Sequence, residues 1–231
     1  MTDLNQLPSS RRACAVLVLL GSLVAQSASA LPPAGPPSPP SSLETAVLSQ
    51  APVVEGRVTR LLINPYGEVD GLLMSDRVVV KLPPHLSDAL VAVAAPGQSV
   101  RVFGFTEAPG SVKADAVVNL GSGQIVFDRP PGIDGVAPLP PHLRTGQLRQ
   151  LQVEGRVDVV LTGPRGEANG VILDNGSIVR FAPDGLRSPL QRGTPFAATG
   201  LGTTNTYGTA LEAISVGASL GSLQQIYGRL R

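Results

Sequence analysis

A chain of 231 residues, 42% of them apolar, suits two small domains better than one large core. Its formal net charge is +1, from 18 basic and 17 acidic residues, without the basic excess of a protein that grips a phosphate backbone. One cysteine and no tryptophan leave no disulfide framework and few aromatic platforms for stacking.

The first thirty residues read as a secretory signal. Arg11-Arg12 is followed by an apolar run from Ala13 to about Ala25, and Ala28-Ser29-Ala30 puts small residues where a signal peptidase cuts. The run is short for a membrane span, so an uncleaved N-terminal anchor is the alternative rather than the expectation. Ser10-Arg11-Arg12 touches the twin-arginine pattern, but Cys14 stands where that pattern prefers a large apolar residue, and the general secretory route is expected. Cys14 leaves with the signal, and with it any disulfide, thiol nucleophile or thiolate metal site. Losing Asp3, Arg11 and Arg12 leaves 16 basic and 16 acidic residues, a neutral mature chain.

Residues 31–50 form a proline-rich tether ending in a short helix, Leu43 to Gln50, with Ser41 or Ser42 as its N-cap. Beyond this helix the chain repeats itself. Val54-Glu55-Gly56-Arg57-Val58 returns as Val153-Glu154-Gly155-Arg156-Val157, and the register holds without a gap to Pro84 and Pro183, an offset of 99 positions. So long a period means two copies of one domain, not a solenoid. The copies span 51–120 and 152–218, joined by a Pro/Gly-rich linker at 121–151 and followed by a tail at 219–231.

Each copy divides in the same way. Val54 to Ile63 is a strand and Asn64-Pro65-Tyr66-Gly67 a turn; Val69 to Met74 is the second strand. Asn175-Gly176 is a strong hairpin signal, whereas copy one has Asp76-Arg77 there. An arginine pays roughly 1–2 kcal/mol in the left-handed conformation, so the two hairpins are expected to differ in detail. Val78 to Leu82 is a third strand, Pro83-Pro84 ends it, and Leu86 to Val93 is a short helix. Ser99 to Phe105 and Val112 to Val118 complete five strands. Copy two repeats the order, with a poorer helix at Gly185 to Leu190. In the tail, Leu220, Leu223 and Ile226 recur at helical spacing and predict a short amphipathic turn.

Three strands, a helix and two more strands resemble the OB-fold, a five-stranded Greek-key barrel. The Val-x-Gly-x-Val strand and the helix between strands three and four carry the likeness. The fold class implied is mainly β, two such barrels in tandem, similar in layout to small exported OB-fold proteins of Gram-negative bacteria. The resemblance implies a bacterial periplasmic location, and it implies binding at the strand 2–3 face and its flanking loops.

Parity along the strands turns Val54, Val58, Val80, Val100 and Val102 inward, with Val153, Val157, Val179 and Phe181, predicting two separate cores. It leaves Arg57, Lys81 and Arg101 outside in copy one, and Arg156 and Arg180 in copy two. These five are the candidate binding residues, for an anionic ligand or a partner surface. The plainer reading is solvated strand positions with a cross-strand pair such as Glu55 with Arg101. Phe103 and Phe105 are expected to close the barrel or meet the neighbouring domain. Tyr66 sits on a turn tip where copy two has Arg165.

Both histidines lie in one pentapeptide, Leu82-Pro83-Pro84-His85-Leu86, which recurs at Leu139 to Leu143 around His142. A metal reading joins His85 to His142, but copy two aligns Asp184 with His85, and proline before a helix explains the motif; no metal site or cofactor is expected. Asp70-Gly71 and Asn169-Gly170 are read as bulge or turn residues at the start of a strand. No nucleophile elbow, zinc-protease motif or phosphate loop is present, and no catalytic residue is assigned.

The function expected is thus non-enzymatic: an exported binding or assembly module of the cell envelope, whose partner is an envelope protein or an anionic ligand. The alternative is an oligosaccharide or anionic small-ligand binding protein, with nucleic acid a weaker third. N-terminal sequencing of the exported protein should begin at Leu31. Recovery of Met1 or Thr2 from an envelope fraction identifies an uncleaved anchor instead.

Overall fold

A serine before a helix supplies the acceptor that the first turn lacks, and Ser41 does so for the first helix. The protein is seen in a computed structural model that describes residues 41–131, 144–183, 186 and 189–226. The export segment, nearly all of the tether, His142, Asp184, half of the expected second-copy helix (185, 187 and 188) and the residues from 227 lie outside the described residues. Helix α1 (Ser42–Leu48) begins at Ser41, whose Oγ accepts from the Glu44 N–H at 3.3 Å while Glu44 Oε2 accepts from the Ser41 N–H at 2.7 Å. The same carboxylate accepts from Arg129 Nε at 2.6 Å and so ties α1 to the chain beyond the first barrel. The Ser41 N–H, then Arg129, hold the Glu44 carboxyl below its ordinary value against partial desolvation.

The first barrel comprises β1 (Val54–Ile63), β2 (Val69–Met74), β3 (Val79–Lys81), α2 (Ser87–Val93), β4 (Ser99–Ala108) and β5 (Ser111–Asn119). β1 pairs antiparallel with β2 and β4, β3 with β2, and β5 with β4; parallel pairing of β3 with β5 closes the ring. The second barrel repeats this with β7 (Arg149–Thr162), β8 (Ala168–Leu173), β9 (Ile178–Arg180), β10 (Pro195–Asn205) and β11 (Gly208–Gly217). Two closed five-stranded barrels in tandem are the fold expected from the repeat. A turn of 3₁₀ helix at Pro84–Leu86 leads into α2, whose Leu90 and Val93, with Leu86, are buried in the first core. Asn119 Nδ2 donates to the Val93 carbonyl at 2.7 Å and satisfies the helix end.

Several expectations are corrected. The linker contains a strand, β6 (Ile125–Phe127), paired with β5, and β7 starts at Arg149, earlier than the repeat suggested. In the tail a single 3₁₀ turn, Leu220–Ser222, gives way to β12 (Gln224–Gln225) on β11, because β11 offers an open edge whose hydrogen bonds outweigh a solvated helical turn. The two hairpins do not differ as expected: Arg77 takes the left-handed conformation at φ 70°, as Gly176 does at 87°. Arg77 Nη1 donates to Asp158 of the second barrel, at 2.5 Å to Oδ1 and 3.2 Å to O, which offsets part of that strain. Phe103 and Phe105 share one side of β4, opposite Val100 and Val102; Phe103 is buried, whereas Phe105, nearer the end of the strand, is 54% exposed and closes nothing.

Val58, Val80, Val100, Val102, Val153, Val157, Val179 and Phe181 are buried as parity required, while Val54, the first residue of β1, is only half-buried. The cores are not separate in the way parity suggested. Val153, Val157, Val171, Val179, Phe181, Phe196 and Leu211 belong to the second core, yet Leu161, Ile172, Ile178 and Ala210 of the second barrel cluster with the first. Phe181 and Phe196 meet with ring centroids 6.2 Å apart. Phe181→Ala should therefore cost roughly 3–5 kcal/mol in a denaturant titration, and a loss below about 1 kcal/mol would contradict its place in the second core.

Candidate functional site

Two bulges per copy decide what faces outward. In β1 the register slips between Val58 and Arg60, leaving Thr59 as the extra residue; in β7 it slips between Val157 and Val159, leaving Asp158. The opposite slips fall at Asp70 and Asn169, which confirms the bulge reading of those Asx-Gly pairs. Past the first bulge Leu61 faces the core and Leu62 faces out, on the same side as Leu73 and Val79. Their counterparts at the 99-residue offset are Leu161, Ile172 and Ile178. All six are buried, at most 8% exposed, although they point out of their own barrels.

They are buried against each other. Equivalent positions of both copies supply the contact, an isologous arrangement within one chain. Polar groups close its borders. Lys81 Nζ donates to the Thr162 carbonyl at 2.5 Å and pairs with Glu107 at 2.7 Å. Arg180 Nη2 donates to both carboxylate oxygens of Asp70, at 3.3 and 3.2 Å. The β10–β11 hairpin clasps the β1–β2 turn: Thr203 Oγ1 donates to the Pro65 carbonyl at 2.8 Å and Asn205 Nδ2 to that of Gly67 at 2.8 Å.

The five basic candidates are thereby divided. Lys81 and Arg180 lie in the contact between the barrels, each engaged by the other copy. Arg57 is exposed on β1. Arg101 Nε donates to Glu55 Oε2 at 2.7 Å across β1 and β4, the cross-strand pair the plainer reading foresaw. Arg156 is exposed on β7, and its Nη1 donates to the Gly193 carbonyl at 2.9 Å. In each copy the strand 2–3 surface, the usual ligand face of this barrel, is covered by the other copy.

The remaining singled-out residues take structural parts. His85 Nε2 lies 2.7 Å from the Arg129 carbonyl at the helix start. Tyr66 carries the Arg144 guanidinium 4.9 Å above its ring, and Arg144 also pairs with Glu68 at 2.8 Å. Sequence parity passed over one group. Alternation from Val58 puts Arg60 inside, whereas the bulge at Thr59 turns it out, to the rim of the contact. There a polar cleft of about 370 Å³ is lined by Arg60, the β8–β9 turn around Asn175 to Ser177, and the β10–β11 hairpin around Tyr207. A Cβ on Gly176 would run into the Arg60 guanidinium, so glycine serves both the left-handed turn and the room for this side chain.

Compared with known proteins, the chain matches no family model and no curated relative.

Burial pushes the Asp70 carboxyl above its ordinary value of 3.8, with Arg180 opposing. A carboxyl so raised contributes most below its unfolded value, and the contribution is lost as the pH rises through the folded value. Arg180→Ala removes the opposing charge and should cost roughly 1.5–3 kcal/mol near neutral pH. Because Asp70 can then protonate, the difference from the native protein should shrink as the pH is lowered, in denaturant titrations run in parallel. A difference that holds or grows on acidification would contradict this account.

Proposed function

We propose that the protein is a non-enzymatic binding or assembly module exported to the cell envelope, in the periplasm of a bacterium. One observation carries the reading: both barrels spend their usual ligand face on each other. The product is a single compact double barrel rather than two independent ligand traps. A neutral mature chain with so few aromatic side chains argues against nucleic acid, whose binding draws on basic excess and stacking. The residues left to meet an envelope protein are the exposed basic groups, Arg57 and Arg101 on adjoining strands and Arg156 on the second barrel. The proline-rich segment before α1 suits a tether that lets the double barrel reach its partner.

A second reading, an anionic small-ligand protein, is favoured by the cleft beside Arg60, which the strand-face candidates did not include.

Crosslinking in intact cells tests the first reading. Arg57→Glu combined with Arg101→Glu should abolish capture of the envelope partner. The stability change should stay within about 0.5 kcal/mol for Arg57→Glu and reach roughly 1 kcal/mol for Arg101→Glu, which sets a second carboxylate opposite Glu55, as thermal melting would report. Undiminished capture by the reversed protein removes these residues from the partner surface.

A further inference from the structure

We infer that the cleft between the two barrels at Arg60 is a binding site for a single anionic sugar, a hydroxylated ring carrying a carboxylate or a phosphate. The inference rests on the second of the two functional readings, and it assigns that reading a place and a ligand class. The cleft is composite: Arg60 comes from β1 of the first barrel, and every other lining residue comes from the second. It therefore exists only because the outward faces have docked.

Its walls are fixed and its binding groups are free. Asn175 Nδ2 donates to the Glu154 carbonyl at 2.9 Å and its Oδ1 accepts from the Ser177 N–H at 2.9 Å. Asn205 does the same on the facing wall, donating to the Gly67 carbonyl and accepting from the Tyr207 N–H at 2.9 Å. Both turns are thus held by side chain–backbone bonds. Arg60 is different. Among the described residues no ion pair or hydrogen bond engages its guanidinium, unlike Arg77, Arg101, Arg144 and Arg180, each of which meets a carboxylate. The hydroxyls of Ser177, Thr206 and Tyr207 are likewise unengaged among the described residues.

Charge and size select the ligand. Arg60 is the one charged group in the lining, and no carboxylate is there to compete for it. A guanidinium offers a planar fork that matches the two oxygens of a carboxylate or phosphate. Three free hydroxyls suit a partner that both donates and accepts, as ring hydroxyls do. The Tyr207 ring, 39% exposed on the hairpin, adds an apolar surface for one face of the ring. A volume of about 370 Å³ lies at the lower end of the range for small-ligand sites and suits one ring rather than a polymer strand.

The test is a titration of the full mature chain followed by amide NMR, with glucuronate, glucose 6-phosphate, inorganic phosphate and glucose as probes. The two charged sugars should shift the amides of Ser177 and Tyr207 saturably, phosphate should bind more weakly, and glucose should not bind. Preference between the two sugars tells a carboxylate site from a phosphate site. Arg60→Gln should weaken the favoured sugar roughly tenfold or more, the scale of a lost charged hydrogen bond. Tyr207→Ala, on an exposed hairpin, should reduce it toward the level of phosphate and serves if the Arg60 variant does not fold. Absence of saturable shifts with either charged sugar overturns the assignment, as does unchanged binding by Arg60→Gln or equal binding of glucose. Partner capture in cells is read separately, so failure here leaves the envelope reading standing and its failure leaves this one.

Discussion

Burial of Leu62, Leu73 and Val79 against Leu161, Ile172 and Ile178 is what holds the two repeats together. These side chains point away from their own cores, so an isolated barrel would expose a contiguous apolar patch on its strand 1–2–3 face. Fully burying one such side chain is worth roughly 1.5–3 kcal/mol, and six of them outweigh the ion pairs around the rim. The contact makes one molecule of two repeats. It also removes from solvent the surface on which barrels of this kind usually carry ligands.

Bulges make that contact possible. A strand with strict alternation has one inward and one outward series, and a charged outward series would leave nothing to dock. The extra residues Thr59 and Asp158 reset the alternation midway along β1 and β7, so that Leu61 and Val160 face their own barrels while the next residues, Leu62 and Leu161, face the other copy. The bulges at Asp70 and Asn169 do the same from the opposite strand. At Gly71 a Cβ would lie 2.5 Å from the Val80 carbonyl, so the glycine is required for β2 and β3 to pair closely at the bend.

The two faces are equivalent in position and not in chemistry. Asp70 faces Arg180, whereas the counterpart of Asp70 is the neutral Asn169. Arg77 reaches Asp158, whereas its counterpart Gly176 makes room for Arg60. These differences sit at the rim, where polar groups set register and partner choice more than they add affinity. They make the two borders of the contact unlike, and at one end they leave a polar cleft.

Much of this was legible in the sequence. The gap-free offset of 99 residues, the Pro-Gly and Asn-Gly turns and the Val-x-Gly-x-Val strands specify two copies, five strands in each and the order of a Greek-key barrel. These signals are local, carried by turn chemistry and alternation. The capped helix before the first barrel was legible for the same reason. Which outward residues remain surface is settled by packing between the barrels and by nothing local. Leu62, Leu73 and Ile172 read as ordinary strand positions until the second barrel covers them, and Lys81 and Arg180 read as free charges until Glu107, Thr162 and Asp70 meet them. Arg60 escaped notice because a bulge is a two-strand property: one extra residue shows only against the partner it fails to pair with. A repeat announces the copies, but the free energy of packing one copy on the other resides in contacts that no single strand contains.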